Sequence, residues 1–305
     1  MNSACEPSTR PGDRLIPPVL FAHLHLCIKH IESIPQLFPD STHHLWILHT
    51  TSGKKVLKSL NKKALSQPFW RGMQSLFGLN LVEHLADSIA VSHQLNRYSP
   101  LAIAQIEQAH NPTHTRPGYA LSKLLPGHRL HVDQVTNLMV VDLAAHLADL
   151  HLQTRTRWGR FNHLAWDLTQ WGAALKQSLQ QQLQHLNIDH QAWCEVLDAA
   201  AQIHPQAAVP LMMDLRWDQF LTDGEHLTAL VDLDAFVFAP RELDLVMLEY
   251  LLTEHQAWLF KQLYQQQHLW PDLSALRAPY RLWLFSLNVL GETDIQAWMN
   301  APTRF

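Results

Sequence analysis

Cysteine is scarce: Cys5, Cys27 and Cys194 are the only three in 305 residues, an odd number without metal-site spacing. A disulfide framework is therefore not expected, and a reducing compartment, the cytoplasm by default, fits better. Concentrated positive charge is lacking too. Lys54, Lys55, Lys58, Lys62 and Lys63 form the densest basic group, and within a net charge of −4 they are too few to track a nucleic-acid backbone. No apolar run is long enough to span a bilayer. Residues 1–18 contain Pro7, Pro11, Pro17 and Pro18 with Glu6 and Asp13, so they lack the apolar centre of a secretion signal. Neither nucleic acid nor membrane is an expected partner. The absence of a Gly-x-Ser-x-Gly element leaves a hydrolase reading without its nucleophile. No internal repeat stands out, and the glutamine-rich stretch 177–184 reads as a solvated helix face.

Apolar residues, by contrast, make up 47% of the chain against 16% charged, enough to bury a large core in one large or two coupled lobes. Histidine is also frequent. His23 and His25 are spaced to share a strand face and, with His30 or as the separate pair His43 and His44, suggest metal ligands. No paired i, i+4 helix spacing accompanies them, so solvated or hydrogen-bonded histidine is the better reading.

Along the chain, residues 45–50 and 54–60 read as strands around the turn Thr51-Ser52-Gly53. Leu76, Leu79, Val82, Leu85, Ala86, Ile89 and Val91 recur at near-helical spacing, which predicts a helix within 75–96. Residues 101–106 and 119–125 are the next strands, and Pro126-Gly127 marks a pivot. Amphipathic helices are expected over 132–153, 165–185, 191–203, 242–267 and 279–290. The resulting outline is a flexible lead (1–18), a mixed small lobe (19–125) and a larger helical lobe (126–305) with a β-rich island at 211–238.

Within the island, Asp223-Gly224 between two apolar runs is a turn signal that folds 219–222 back on 227–231. Asp214 and Gln219 precede the first strand and Asp232 follows the second, so three oxygen-bearing side chains converge at the open end. Such a group suits a hard cation bridging phosphate oxygens while another carboxylate faces an acceptor hydroxyl. Asp at strand ends also has a purely structural reading, since Asp favours turns.

The stretch from Asp214 to Leu221 resembles the catalytic loop of the aminoglycoside phosphotransferase and choline kinase-like small-molecule kinases, where an Asp is followed five positions later by an Asn. Val231-Asp232-Leu233-Asp234-Ala235 looks like the family's metal-binding segment, and Ala239-Pro240-Arg241-Glu242-Leu243-Asp244-Leu245 like its Gly-Asp-Pro…Asp-Leu stretch. Upstream, the run from Leu143 to His151 is similar to a family helix end, with Trp158-Gly159-Arg160-Phe161 in place of the turn that follows. The resemblance implies an α+β, bilobal, protein-kinase-like fold. Its small N-terminal lobe is β-rich with one main helix, and its larger lobe is mostly helical and holds the catalytic hairpin.

It also implies a phosphotransferase that uses ATP, or another nucleoside triphosphate, and Mg2+ on a small-molecule hydroxyl. Asp214 would be the base, Asp232 and Gln219 would hold the metal, and Asp244 would brace the catalytic loop. In the small lobe, residues 31–46 resemble the first strand and phosphate-covering turn, with Ser41 and Thr42 at the turn's end. Val56-Leu57-Lys58 looks like the strand carrying the phosphate-contacting Lys, with Lys55 as the competing register. Glu83, the only Glu between Lys58 and Glu107, would be its ion-pair partner. Leu124 would lie on the hinge strand that meets the adenine. Arg216 is expected to pair with Asp218 or Glu242. Glu249, Glu254, Asp272, Glu292 and Asp294 offer an acidic region for a cationic acceptor, and the eleven Trp an aromatic wall, although core packing and ordinary surface charge account for both.

The departures are specific. Met212 and Met213 stand where the family has His and Gly, Gln219 where it has Asn, and the phosphate-covering turn lacks glycine. They keep a second reading open, a kinase-fold protein of weak or no catalysis with a binding or regulatory role.

Overall fold

The computed structural model describes residues 8–9, 15–35, 41–61 and 66–305. The first elements are β1 (Ser8–Thr9), α1 (Pro18–Phe21), β2 (Ile28–Ile34), β3 (His43–Thr50) and β4 (Gly53–Leu60). Then come α2 (Pro68–Phe77), α3 (Leu81–His84), α4 (Ser88–Tyr98), β5 (Ala102–Ile103), β6 (Ile106–His110) and β7 (Tyr119–Lys123). Beyond Pro126-Gly127 lie β8 (His128–Arg129), α5 (Asn137–His151), β9 (Arg157–Arg160), β10 (His163–Asp167), α6 (Trp171–His185) and α7 (Cys194–Ala201). The chain continues through β11 (Val209–Met212), β12 (Phe220–Thr222), β13 (Leu227–Leu230), β14 (Phe236–Ala239), α8 (Glu242–Leu251), α9 (Glu254–Tyr264), α10 (Arg277–Leu287) and α11 (Ile295–Met299). None of these helices is long and apolar enough to cross a membrane.

The first sheet runs β1, β2, β3, β4, β7, β6. Alternation along it separates two faces. Ile31, Trp46, Leu48, Leu57 and Leu121 pack with Ile16, Leu20 and Leu24 into a small core, while Ile34, Leu45, Ile47, Val56 and Lys58 face a cleft. The lead expected to be flexible over 1–18 is docked where it is described: Ser8 and Thr9 pair in parallel with His30 and Ile31, and Ile16 is buried. The β3–β4 turn is tighter than expected, because Gly53 pairs with Thr50 and leaves only Thr51 and Ser52 between the strands. His23 and His25 precede β2 instead of sharing a strand face, and His25 has φ +46°.

Several predicted helices are broken by caps. The 75–96 pattern is interrupted at Gly78, whose φ of +65° ends α2 while Leu79 N–H donates to Met73 O at 3.2 Å. Asn80 then caps α3 through Val82 N–H. Similarly, Thr253 and Gln256 form a capping box that separates α8 from α9 within 242–267. The helix predicted from 165 starts at Trp171, because β9 and β10 pair just before it.

Helices α2 and α4 bury Trp70, Met73, Phe77 and Leu95 in one core with α5, α6, α8 and α10. This core supports a sheet β10, β9, β14, β11 and a sheet β5, β13, β12, β8. The last contains the hairpin expected from Asp223-Gly224, with Phe220 opposite Leu230, and the chain leaving Pro126-Gly127 adds β8 to its edge. A Cβ on Gly72 of α2 would clash with Leu287 Cδ2 and lie 2.8 Å from the Gln182 amide nitrogen. Gly72→Ala is therefore expected to destabilise the protein by about 2 kcal/mol through overpacking, which chemical denaturation would register as a lower midpoint with an unchanged slope.

Candidate active site

A cleft of about 790 Å³ separates the first sheet from the β12–β13 hairpin. Its apolar part is made by Ile34, Leu45, Ile47 and Val56 from the sheet and Leu221 and Val231 from the hairpin. Leu124 borders it, with its own N–H donating to Lys54 O at 3.1 Å. Ser41 and Thr42 line the cleft as well; residues 36–40, the core of the expected phosphate-covering turn, lie outside the described residues.

Strand alternation puts the two lysines on opposite faces of the sheet. Lys55 is turned away from the cleft and pairs with Glu107, whereas Lys58 opens into it. The Lys58 ammonium lies 3.1 Å from Asp232 Oδ1 and 3.6 Å from Asp234 Oδ2. Burial opposes the charge on Lys58, but Asp232 and then Asp234 outweigh it and raise its pKa. Burial likewise opposes ionisation of Asp232, yet Lys58 above all holds it well below the usual carboxylate range. Asp234 is pushed up to about 7 by burial and by the charge of Asp232. His43 is buried beside this group, its Nδ1 3.5 Å from Asp234 Oδ2; burial and Lys58 push it down to about 3.

Asp214 follows β11 and Asp232 follows β13, which brings both to one end of the cleft. Gln219 Nε2 donates to Asp214 Oδ2 at 2.9 Å. Arg216 Nε lies 3.3 Å from Asp214 and 3.1 Å from Asp218, so the expected Asp218 pairing forms, whereas Glu242 pairs with Arg241. Burial raises the pKa of Asp214 to about 7, with Asp232 and Asp218 adding to it and Arg216 and Gln219 opposing. In the place of the family's His and Gly, Met212 and Met213 are buried. Met213 N–H donates to Ala235 O at 3.1 Å, and the Trp217 indole donates to Leu251 O at 3.3 Å, so the loop is tied to β14 and α8 without an imidazole.

Other expected residues are placed differently. Glu83 is exposed on α3 and makes no ion pair with Lys58; its carbonyl accepts from Asn111 Nδ2 at 2.6 Å. Asp244 is buried, but its partner is His151 Nε2 on α5 at 3.4 Å, with Tyr264 on the other ring nitrogen at 2.7 Å. It therefore braces α5 against α8 behind the loop. Burial raises Asp244 and lowers His151, favouring the neutral form of each. The acidic region does not reach the cleft: Glu249 is buried against Arg277 and Arg281, and neither it nor Glu254, Asp272, Glu292 or Asp294 lines the cavity. The aromatic wall reduces to Phe69 and Trp70, since Trp46, Trp158, Trp171 and Trp283 are core residues. Asp234 and His43 were not singled out as site residues from sequence. Asp234 lies only two positions after Asp232, and the sequence reads His43 as a solvated or hydrogen-bonded histidine in preference to a metal ligand, with nothing to tie it to Lys58.

The donor set suits Mg2+. The ionised Asp232 would supply a carboxylate, and Gln219, whose amide nitrogen donates to Asp214, keeps only its amide oxygen for a cation. Among the described residues no group of three or more His, Cys, Asp or Glu forms a metal cage. A magnesium ion that shares its shell with phosphate oxygens and water needs only one or two protein ligands.

Neither a protein-family model nor a curated protein matches the sequence. Solved structures do. Macrolide 2'-phosphotransferase MphH from Brachybacterium faecium matches with a TM-score of 0.58 at 16% identity, over 92% of this chain and 97% of that one. A Haemophilus somnus protein assigned as a fructosamine-3-kinase gives 0.61 at 15%, over 90% and 91% of the respective chains. The ADP-bound aminoglycoside phosphotransferase APH(2'')-Ib gives 0.58 at 12%, over 94% and 98%. The chain thus has the bilobal protein-kinase-like fold of small-molecule kinases.

The raised pKa of Asp214 sets a stability test. Between the ordinary carboxylate pKa and about 7 the folded state retains a proton that the unfolded chain releases, so this group's contribution to stability falls as pH rises through that window. Asp214→Asn should match the wild-type Tm near pH 4 and exceed it at pH 8, by roughly 4 kcal/mol in stability. Thermal melts across that range would check it.

Proposed function

We propose that the protein is an ATP-dependent phosphotransferase that moves the γ-phosphoryl group to a hydroxyl of a small molecule. The carrying observation is the meeting, in one cleft, of the Lys58–Asp232 ion pair with Asp214 beside an apolar slot open to a planar base. The names of the structural neighbours support it: phosphotransferases with ADP, or with GDP and kanamycin, bound.

In this reading the base enters between Val56 and Val231, and the Leu124 segment borders its edge. Lys58 exchanges part of its pairing with Asp232 for phosphate oxygens, while Asp232 and Gln219 would hold magnesium, whose charge would offset that of the phosphates. Asp214, ionised above about pH 7, accepts the hydrogen bond of the acceptor hydroxyl and orients its oxygen for in-line attack. Arg216, held by Asp214 and Asp218, keeps a cation beside the transferred group. A nucleoside triphosphate donor fits a cytoplasmic location. One observation favours the second reading, a binding or regulatory protein: Gln219 is bonded to Asp214, which ties up the side chain that stands in the family's Asn position.

ATP and GTP should each be tested for thermal stabilisation with and without Mg2+, and for consumption over a panel of small alcohols. The proposal expects magnesium-dependent stabilisation and turnover, with Asp214→Ala lowering kcat by about 10²-fold or more. A nucleotide shift indifferent to magnesium, without turnover, would support the second reading, and no shift with either nucleotide would sink both. In the wild type, kcat/KM should fall as pH drops below about 7, because protonated Asp214 cannot accept the hydroxyl proton; a flat profile from pH 5 to 8 would remove Asp214 as the base.

A further inference from the structure

We propose that Asp234, seated against His43, is the positioning residue for Lys58, taking the part expected of a helix glutamate. The proposal rests on reading the cleft as a nucleotide site. The two carboxylates at Lys58 are not equivalent. Asp232 lines the cleft with 30% of its side chain accessible, whereas Asp234 lies behind it with 8% accessible. A magnesium ion would draw on Asp232 and phosphate oxygens would draw on Lys58, so the hold of Asp232 on Lys58 would weaken by competition. The carboxylate that stays with the ammonium through binding is Asp234.

Its placement is fixed on several sides. Its backbone N–H donates to Asp232 Oδ1 at 3.2 Å, and its neighbour Ala235 accepts from Met213 N–H, which anchors the start of β14 to the catalytic loop. Its side chain meets His43 on β3 and Lys58 on β4, adjacent strands of the opposite lobe. One buried carboxylate thus touches the catalytic hairpin's exit and two strands of the first sheet. Glu83 is exposed on α3, and among the described residues no other acidic residue joins Asp232 and Asp234 at the ammonium.

ATP affinity in the presence of Mg2+, measured by displacement of a fluorescent ATP analogue, tests this in wild type, Asp234→Asn, Asp234→Glu and His43→Gln, together with Tm, acceptor KM and reductive methylation of Lys58 in the ligand-free protein. Loss of the buried carboxylate beside the ammonium predicts about tenfold weaker ATP binding for Asp234→Asn. Acceptor KM should hold, Asp234→Glu should recover most of the affinity, and Lys58 should methylate several-fold faster. His43→Gln, which keeps both carboxylates, should weaken binding less than Asp234→Asn does, and it serves as the test if that variant does not fold. Wild-type affinity and Lys58 reactivity in Asp234→Asn, or in His43→Gln where it is the variant that folds, would overturn the proposal, as would a larger loss from Glu83→Gln. Wild type that binds no nucleotide would overturn the cleft reading itself, a result separable from an unchanged Lys58 methylation rate, which removes only the pairing.

Discussion

The Lys58 ammonium is a nearly buried cation supplied by the first sheet and neutralised by carboxylates supplied by the opposite lobe. A buried charge without its partner costs several kcal/mol, so the pairing constrains how the lobes meet. Its consequences run along both chain directions. Two residues back on β4, Val56 shares the face of Lys58 and closes the apolar slot. On the hairpin, Val231 immediately precedes Asp232 and forms the opposing wall. The apolar slot and the charged end of the cleft are therefore held in register by the same two strands.

The cleft also separates two aspartates by environment. Asp232 faces an ammonium and stays ionised, while Asp214 is buried near other carboxylates and is pushed to about 7. Carboxylates driven apart in this way take different tasks, one as a fixed anion and the other as a group that can exchange a proton near neutrality. The surroundings that create the split are structural: the Trp217 indole and Met213 N–H fix the loop that carries Asp214, and Asp244 with His151 braces the helices behind it.

The hairpin was legible because Asp223-Gly224 and the flanking apolar runs encode it locally, and hairpin closure brings Asp214, Gln219 and Asp232 to one end of the cleft. In the small lobe β3, β4 and β7 were legible, whereas the expected strand 101–106 splits into β5, which pairs with β13 of the hairpin, and the start of β6. What sequence periodicity missed was local punctuation and tertiary pairing. Gly78 and Asn80 carried the signals of a helix stop and start, but the apolar spacing across them read as continuous. Glu83 was assigned to Lys58 by sequence order alone, whereas the ammonium takes its partners from Asp232 and Asp234, more than 170 residues away. Glu249 looked like surface charge because Arg277 and Arg281, which bury it, lie on α10.

A crystal structure with Mg2+ and a non-hydrolysable ATP analogue tests the central claim most directly. The account predicts the base between Val56 and Val231, phosphate oxygens against Lys58, and the ion on Asp232. Nucleotide bound elsewhere on the molecule, with the Lys58–Asp232 pair untouched, would contradict it.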